Sequence, residues 1–359
     1  MTDSAEFRLL VEICRAGFAS SGGEPIATDV DWQHFLRLAR FHRVEGLASN
    51  YLSNSARGAP QATKQALADA AARIAATNLH AAAESRSMLE RFDAAGVPLL
   101  FLKGVALGAL VYGNPALKAA VDIDLLIDPG DLGKAAELLR DAGFRLVTPR
   151  DSPADKVLHF WHRSWKESVW LKSAPLLQID LHTRVADNRR LIPDIDVHSP
   201  RQLVDIGNGI LLPTLAAEEL FAYLAVHGAS SAWFRLKWVA DFAGLIARAS
   251  AANIDRLYRR SQELGAGRAA GQALLLADAL FGTLDGNPAL RQELRSDRGI
   301  RRLTVAALKL LTGPPIEPTA RPLGTLTIHW TQFLLLSGTR YRISELLRQA
   351  NRPLVRARS

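Results

Sequence analysis

The chain has one cysteine, Cys14, in 359 residues. That excludes an intramolecular disulfide and any Cys-x-x-Cys metal site, and Cys14 lies in the helical pattern Phe7 to Ala16, where it reads as core. Long apolar runs are also missing. The longest are broken by Lys103 or His329 and fall short of the roughly 20 residues that span a bilayer, so no membrane partner is expected. The opening MTDSAEFRLL has no basic region leading into an apolar core, does not read as a signal peptide, and makes the cytoplasm the expected location. Acidic residues are in deficit: 36 Asp and Glu face 44 Lys and Arg, giving a net charge of +8. The pI is about 9.9 and arginine outnumbers lysine. Such a balance suits a partner that carries phosphate, but the excess is spread out apart from the tail Arg348, Arg352, Arg356 and Arg358. A solvated basic surface explains it equally well. There are no internal repeats, and the only biased segment is alanine-rich, at 65–84. At 359 residues the chain is long enough for two or three domains with proper cores, and its 48% hydrophobic content is that expected of an ordinary soluble protein.

What is present centres on residues 99–128, LLFLKGVALGALVYGNPALKAAVDIDLLID. The spacing predicts a strand to Leu102, a Lys103-Gly104 turn, a helix from Val105 to Tyr112 and a second strand from Val121 to Ile127. Side chains alternate on a strand, so Asp122 and Asp124 share one face and Val121, Ile123, Leu125 and Ile127 the other. Two carboxylates so placed repel, and a divalent cation between them relieves the repulsion. A bare Asp-x-Asp is more often a solvated strand end. Here a glycine turn precedes it, where backbone amides and a helix N-terminus suit an anion, with Lys103 alongside.

The segment LKGVALGALVYGNPALKAAVDIDLLI resembles the signature of the bacterial "uncharacterised nucleotidyltransferase" family, a branch of the DNA polymerase β-like nucleotidyltransferase superfamily. The match rests on Lys103, Gly104, Tyr112, Pro115, Asp122, Asp124, Leu125 and Leu126. It departs from the wider superfamily in its Lys-Gly turn, where Gly-Ser or Gly-Gly is usual, and in the seventeen residues between Gly104 and Asp122. The resemblance implies an α+β fold, with a small mixed β-sheet core of polymerase β type flanked by N-terminal and C-terminal helical regions. It also implies an enzyme that moves a nucleoside monophosphate from an NTP, ATP included, to an acceptor hydroxyl or phosphate with release of pyrophosphate. Asp122 and Asp124 would hold two magnesium ions. Lys103 and Gly104 would hold the triphosphate, and Lys118 falls where relatives carry a basic residue before the aspartates.

Around that core the pattern divides into a helical region at 1–94, a core at 95–212 and helices at 213–359. Helices are expected after the Gly22-Gly23 break, over Trp32 to Ala39, and from Gln61 to Ala94. His42, in Phe41-His42-Arg43-Val44, reads as surface. Strands are expected at Phe144 to Val147, Trp165 to Leu171 and Leu176 to Val185, the last two as an antiparallel hairpin behind a βαβ start. On the final strand Gln178, Asp180, His182 and Arg184 form an unbroken polar face. Asp180 falls on the family's third carboxylate and would bind the second metal. His182 would order Asp180 or touch the nucleotide, and Arg184 joins the nucleotide contacts. Magnesium is favoured over zinc because His159 and His162 lack a cysteine or further acidic partner at ligand spacing. Thr214 is an expected N-cap. His227, Arg235 and Lys237 are the expected substrate contacts, with Arg235, Trp238 and Asp241 on successive turns if a helix restarts near Ser231. The acceptor could be a small molecule, a peptide or RNA; the base and the number of subunits stay open. A non-catalytic nucleotide- or RNA-binding relative is the alternative, distinguished by nucleotide binding without pyrophosphate release.

Overall fold

A computed structural model describes residues 4–19, 30–54, 58–150 and 155–356, leaving aside the side chains of 54, 155 and 352–356. The Gly22-Gly23 break and Arg358 lie outside the described residues, as do the side chains of Arg352 and Arg356. Among the described residues there are fifteen α-helices and seven strands.

Helices α1 (Ala5–Phe18), α2 (Trp32–His42) and α3 (Glu45–Asn54) come first. Ser4 caps α1 and Asp31 caps α2 through side-chain bonds to first-turn amides. Helix α4 (Gln61–Ala94) then buries Thr63, Leu67, Ala70, Asn78, Ala81, Ser85, Met88 and Phe92, a stripe at steps of three and four residues with one longer gap. The strands follow: β1 (Leu100–Phe101), β2 (Ile123–Leu126), β3 (Arg145–Thr148), β4 (Glu167–Ser173), β5 (Leu176–His182), β6 (Arg201–Asp205) and β7 (Leu211–Leu215). Among them lie α5 (Gly104–Tyr112), α6 (Leu132–Asp141) and α7 (Asp155–Ser164). The chain closes with α8 (Ala217–Ser230), α9 (Leu236–Ile246), α10 (Ala251–Glu263), α11 (Arg268–Phe281), α12 (Pro288–Ser296), α13 (Arg298–Leu311), α14 (Leu326–Gln332) and α15 (Thr339–Arg356).

Five strands form a mixed sheet in the order β1-β2-β5-β4-β3, and β6 and β7 form a separate hairpin. The β4/β5 hairpin is antiparallel as expected, but the βαβ start is not: β1 pairs antiparallel to β2, and the one parallel pair is β2 with β5. Between β1 and β2 the chain leaves the sheet at Gly104, whose φ is +67° and whose absent Cβ would lie 3.4 Å from the Asp122 carbonyl, and returns after α5 in the opposite direction. Strand β2 therefore begins where β1 ends. Strand β5 stops at His182, so Thr183, Arg184 and Val185 leave the sheet. The β6/β7 hairpin and helices α3 and α12 are additions to the sequence reading. Thr214 lies in β7, and α8 starts after Ala216 without a side-chain cap.

Two cores result. Ile123, Leu125 and Ile127, with Leu177, Ile179 and Leu181, pack with Trp170 beneath Met88 and Phe92 of α4 and Leu132, Ala136 and Leu139 of α6. Leu126 and Leu100 instead join a larger core in which α1 to α3 mix with α8 to α13, including Cys14. The carboxylates of β2 and β5 lie between a covered sheet and a helical wall.

The loop from α5 to β2 is held by Asn78 of α4. Its amide donates to the Pro115 carbonyl at 2.6 Å and the Lys118 carbonyl at 2.7 Å, while its oxygen accepts from the Ala120 amide at 3.2 Å. The bonds to Lys118 and Ala120 are buried, so leaving either unmade would cost its full desolvation penalty. Asn78→Ala is expected to destabilise the fold by about 2 to 4 kcal/mol in denaturant titration. Asn78→Asp should be at least as damaging, because a carboxylate would face two carbonyls; wild-type stability in both variants would contradict the role.

Candidate active site

The alternation of β2 places Asp124 opposite the Ile123 and Leu125 side chains, and register pairs it with Asp180 of β5. Asp124 is 2% exposed. Its Oδ1 accepts from the Lys103 ammonium at 3.0 Å and from His182 Nε2 at 3.0 Å, while its Oδ2 is buried without a partner. His182 therefore orders Asp124, not Asp180. Asp180 accepts instead from the Gln178 amide at 2.8 Å.

Ligand atoms of Asp124, Asp180 and His182 all lie within 4.8 Å of one another, the one such group among the described residues. Two carboxylates and an imidazole, one carboxylate oxygen bare and buried, fit a divalent cation. Asp122 is outside this group. It precedes β2, is half-buried, and lines the neighbouring pocket. His162 is also elsewhere, bonded to Thr183 at 2.9 Å and Ser168 at 3.0 Å. Burial, then His182 and Arg184, push the His162 imidazole down to about 3.

Charge sorts the carboxylates. Burial pushes Asp124 up, but Lys103 and then His182 outweigh it and hold its carboxyl well below the usual range. Among the described residues no cation pairs with Asp180: burial, then Asp124, Asp122 and Glu167, push it up to about 8. Glu167, which sequence reading passed over, faces His182 across the β4/β5 register, its Oε2 3.4 Å from His182 Nδ1. Burial raises Glu167, yet Lys166 at 2.5 Å and His182 hold it down to about 2. The signal for it was available, since an antiparallel hairpin at Ala174-Pro175 places Lys166-Glu167 beside His182.

Lys103 also opens onto a pocket of about 120 Å³ whose wall carries Arg43, Gly104, Lys118, His227 and Lys237, with Asp122 and Asp241 as the acidic members. Five expected residues, Lys103, Gly104, Lys118, His227 and Lys237, are thus brought together. Lys118 leans on Asp241 at 3.6 Å, and Tyr112 donates to the other oxygen of Asp241 at 3.0 Å. Burial, then Lys118, push Lys237 down to about 7. His227 is held well below its usual value by burial and by Lys103 and Lys166. Lys103 is paired with Asp124 and Lys118 with Asp241, so the positive charge of this pocket is largely compensated until Lys237 takes up a proton.

Two expected residues are not there. Arg184, beyond the end of β5, donates to the His162 carbonyl at 2.8 Å and faces other clefts. Arg235 precedes α9 instead of lying on it, and is buried between the Phe41 carbonyl and Glu317, its guanidinium stacked over Phe41 and Phe234. It pairs with Glu317, not Asp241, and anchors the helical wall. His42 is likewise core: fully buried, it accepts from the Leu236 amide at 3.1 Å and packs edge-on against Phe7 and Phe41.

The Lys103 ion pair makes Asp124 structural as well as chemical. Asp124→Ala strands a buried ammonium and is expected to cost about 3 to 5 kcal/mol, whereas Asp122→Asn should change stability by under about 1 kcal/mol. Denaturant titration of the Lys103→Met/Asp124→Leu double variant should recover most of the loss. A double variant as unstable as Asp124→Ala would show that the pair is not the cause.

None of the curated proteins matches the chain in sequence. Among the described residues, no helix is long and apolar enough to cross a membrane. A family model described as "uncharacterised nucleotidyltransferase" matches residues 28–282, spanning the Lys-Gly turn, the Asp-x-Asp strand, Asp180 and the basic pocket. With most of its length inside that match, the chain belongs to the uncharacterised nucleotidyltransferase family.

Proposed function

We propose that the protein transfers a nucleoside monophosphate from an NTP to an acceptor hydroxyl or phosphate, with magnesium as cofactor. The observation that carries this is the placement of a cation-fitting group, Asp124, Asp180 and His182, beside a pocket walled by Arg43, Lys103, Lys118 and Lys237. Lys103 connects the two, lining the pocket while pairing with Asp124. In the reaction an acceptor oxygen bonds the α-phosphorus, the bond from that phosphorus to the bridging oxygen breaks, and pyrophosphate leaves. Divalent cations held by Asp124, Asp180 and His182, and completed by Asp122, would supply polarisation of the α-phosphate and a lowered pKa for the attacking hydroxyl.

The rest falls to the chain's own side chains. Lys103, Lys118, Lys237 and Arg43 neutralise the triphosphate and then the departing pyrophosphate. Gly104 leaves room for its backbone amide to approach a phosphate oxygen. His227, kept neutral by its surroundings, is suited to hydrogen bonding rather than to adding charge.

Incubation with magnesium, each of the four α-labelled NTPs and separate RNA, peptide and small-molecule fractions should give label in one acceptor class and an equal amount of pyrophosphate. Asp122→Asn, which spares the fold, should lower transfer by at least about 100-fold. Full activity in Asp122→Asn would refute its assignment, and NTP binding without pyrophosphate under every acceptor would favour a non-catalytic binding protein.

The pocket also sets a pH dependence. Lys237 is neutral above about 7 in the empty pocket and is recharged by a bound polyanion, so binding takes up a proton. Equilibrium titration should show NTP affinity falling from pH 7 to 9, and Lys237→Met should flatten that slope. An unchanged slope in the variant would remove Lys237 from the site.

A further inference from the structure

The parallel strands β2 and β5 both run out at the end of the sheet away from Asp122. Strand β2 leads to Pro129, and β5 leads to Thr183 and Arg184. Ligands of α/β sheets collect outside the carboxyl ends of parallel strands. A cleft of about 450 Å³ opens there, walled by Pro129 and Leu132 after β2, by Thr183, Arg184 and Arg189 after β5, and by Arg163 at the end of α7. A second cleft of about 210 Å³ shares Arg163, Arg184 and Arg189 and adds Trp165 and Asp187.

Three guanidiniums therefore converge on joined clefts. Arg184 donates to the His162 carbonyl and Arg189 to the Arg163 carbonyl, both at 2.8 Å. These neutral acceptors fix the side chains without cancelling their charge. Among the described residues none of the three forms an ion pair, Asp187 included, and Arg184 Nε is buried with no hydrogen-bond partner. The exposed guanidiniums of Arg163 and Arg189 line both clefts, and a guanidinium fork matches the geometry of a phosphate group.

We propose that these joined clefts bind the phosphate of a second ligand, distinct from the triphosphate assigned to the Lys103 pocket. The two sites lie at opposite ends of β2, with Asp124, Asp180 and His182 between them. A phosphomonoester and the backbone of an oligonucleotide carry the same group, and either satisfies this chemistry. The inference rests on the arginines alone and stands whether or not transfer occurs. If it does, the ligand here is the acceptor.

The test titrates the full chain with inorganic phosphate and, separately, a 5′-phosphorylated tetranucleotide, reading tryptophan fluorescence and heat, and repeats both with Arg163→Ala/Arg189→Ala and with Lys237→Ala. Arg163 and Arg189 are exposed, so the double variant keeps the fold, which a thermal melt confirms. Binding of at least one probe should weaken about tenfold or more in the double variant, with NTP affinity unchanged. Lys237→Ala should do the reverse, so failure of the NTP reading and failure of this one are separable. Phosphate binding alone points to a monoester; binding of the tetranucleotide only points to a polynucleotide backbone. Failure of both probes to bind the wild type, equal binding to the double variant, or an equal loss of NTP affinity overturns the proposal.

Discussion

The structure around the site depends on one buried charge arrangement, the Asp124 carboxylate held by Lys103 and His182. Burying three ionisable groups is costly unless each finds a partner. Here the partners arrive from three different segments: the turn after β1, the middle of β2 and the last residue of β5. Satisfying Asp124 therefore fixes where the Lys103-Gly104 turn lies against the parallel pair. That in turn sets the N-terminus of α5 and the wall on which Lys118 and Lys237 converge. Asn78 completes the arrangement from beneath, by holding the loop that delivers Lys118 and Asp122. Asp180, with carboxylates as neighbours, is pushed up to about 8 and so holds its proton near neutral pH; a bound metal would favour its ionised form.

Much of this was legible in the sequence wherever a local pattern carried it. Period-two alternation gave the core faces Ile123-Leu125-Ile127 and Leu177-Ile179-Leu181, though Val121, expected with the first, lies ahead of β2 and is exposed, and the Gln61 to Ala94 helix was visible in its spacing. The Lys-Gly turn and the paired aspartates identified the family before any coordinate. What stayed hidden was long-range. The antiparallel pairing of β1 with β2 depends on how the chain crosses back over residues 102–122, and no periodicity reports that. His42 and Arg235 looked like polar surface and substrate contact, yet each satisfies a buried group distant in sequence, the Leu236 amide and the Phe41 carbonyl. Arg184 seemed to continue a strand face, but β5 ends two residues earlier, and its guanidinium turns to a different cleft. Glu167, by contrast, was within reach of the sequence, since the expected hairpin at Ala174-Pro175 sets it opposite His182.

Electrostatics divides the molecule into zones with different tasks. The carboxylates sit at the middle of the sheet, where a cation would find the Asp124 oxygen that lacks a hydrogen bond. The lysine pocket at one end of β2 holds cations paired with Asp124 and Asp241, and the arginine clefts at the other end hold guanidiniums that form no ion pair among the described residues. An enzyme joining two phosphate-bearing reactants requires this alternation of sign, because like charges must approach one another over a metal.

The most direct test is a crystal structure with manganese and a non-hydrolysable NTP analogue, the metal located by its anomalous scattering. The account predicts manganese bound by Asp124 and Asp180, with the phosphates against Lys103, Lys118 and Lys237. Manganese elsewhere, or phosphates away from that pocket, would contradict it.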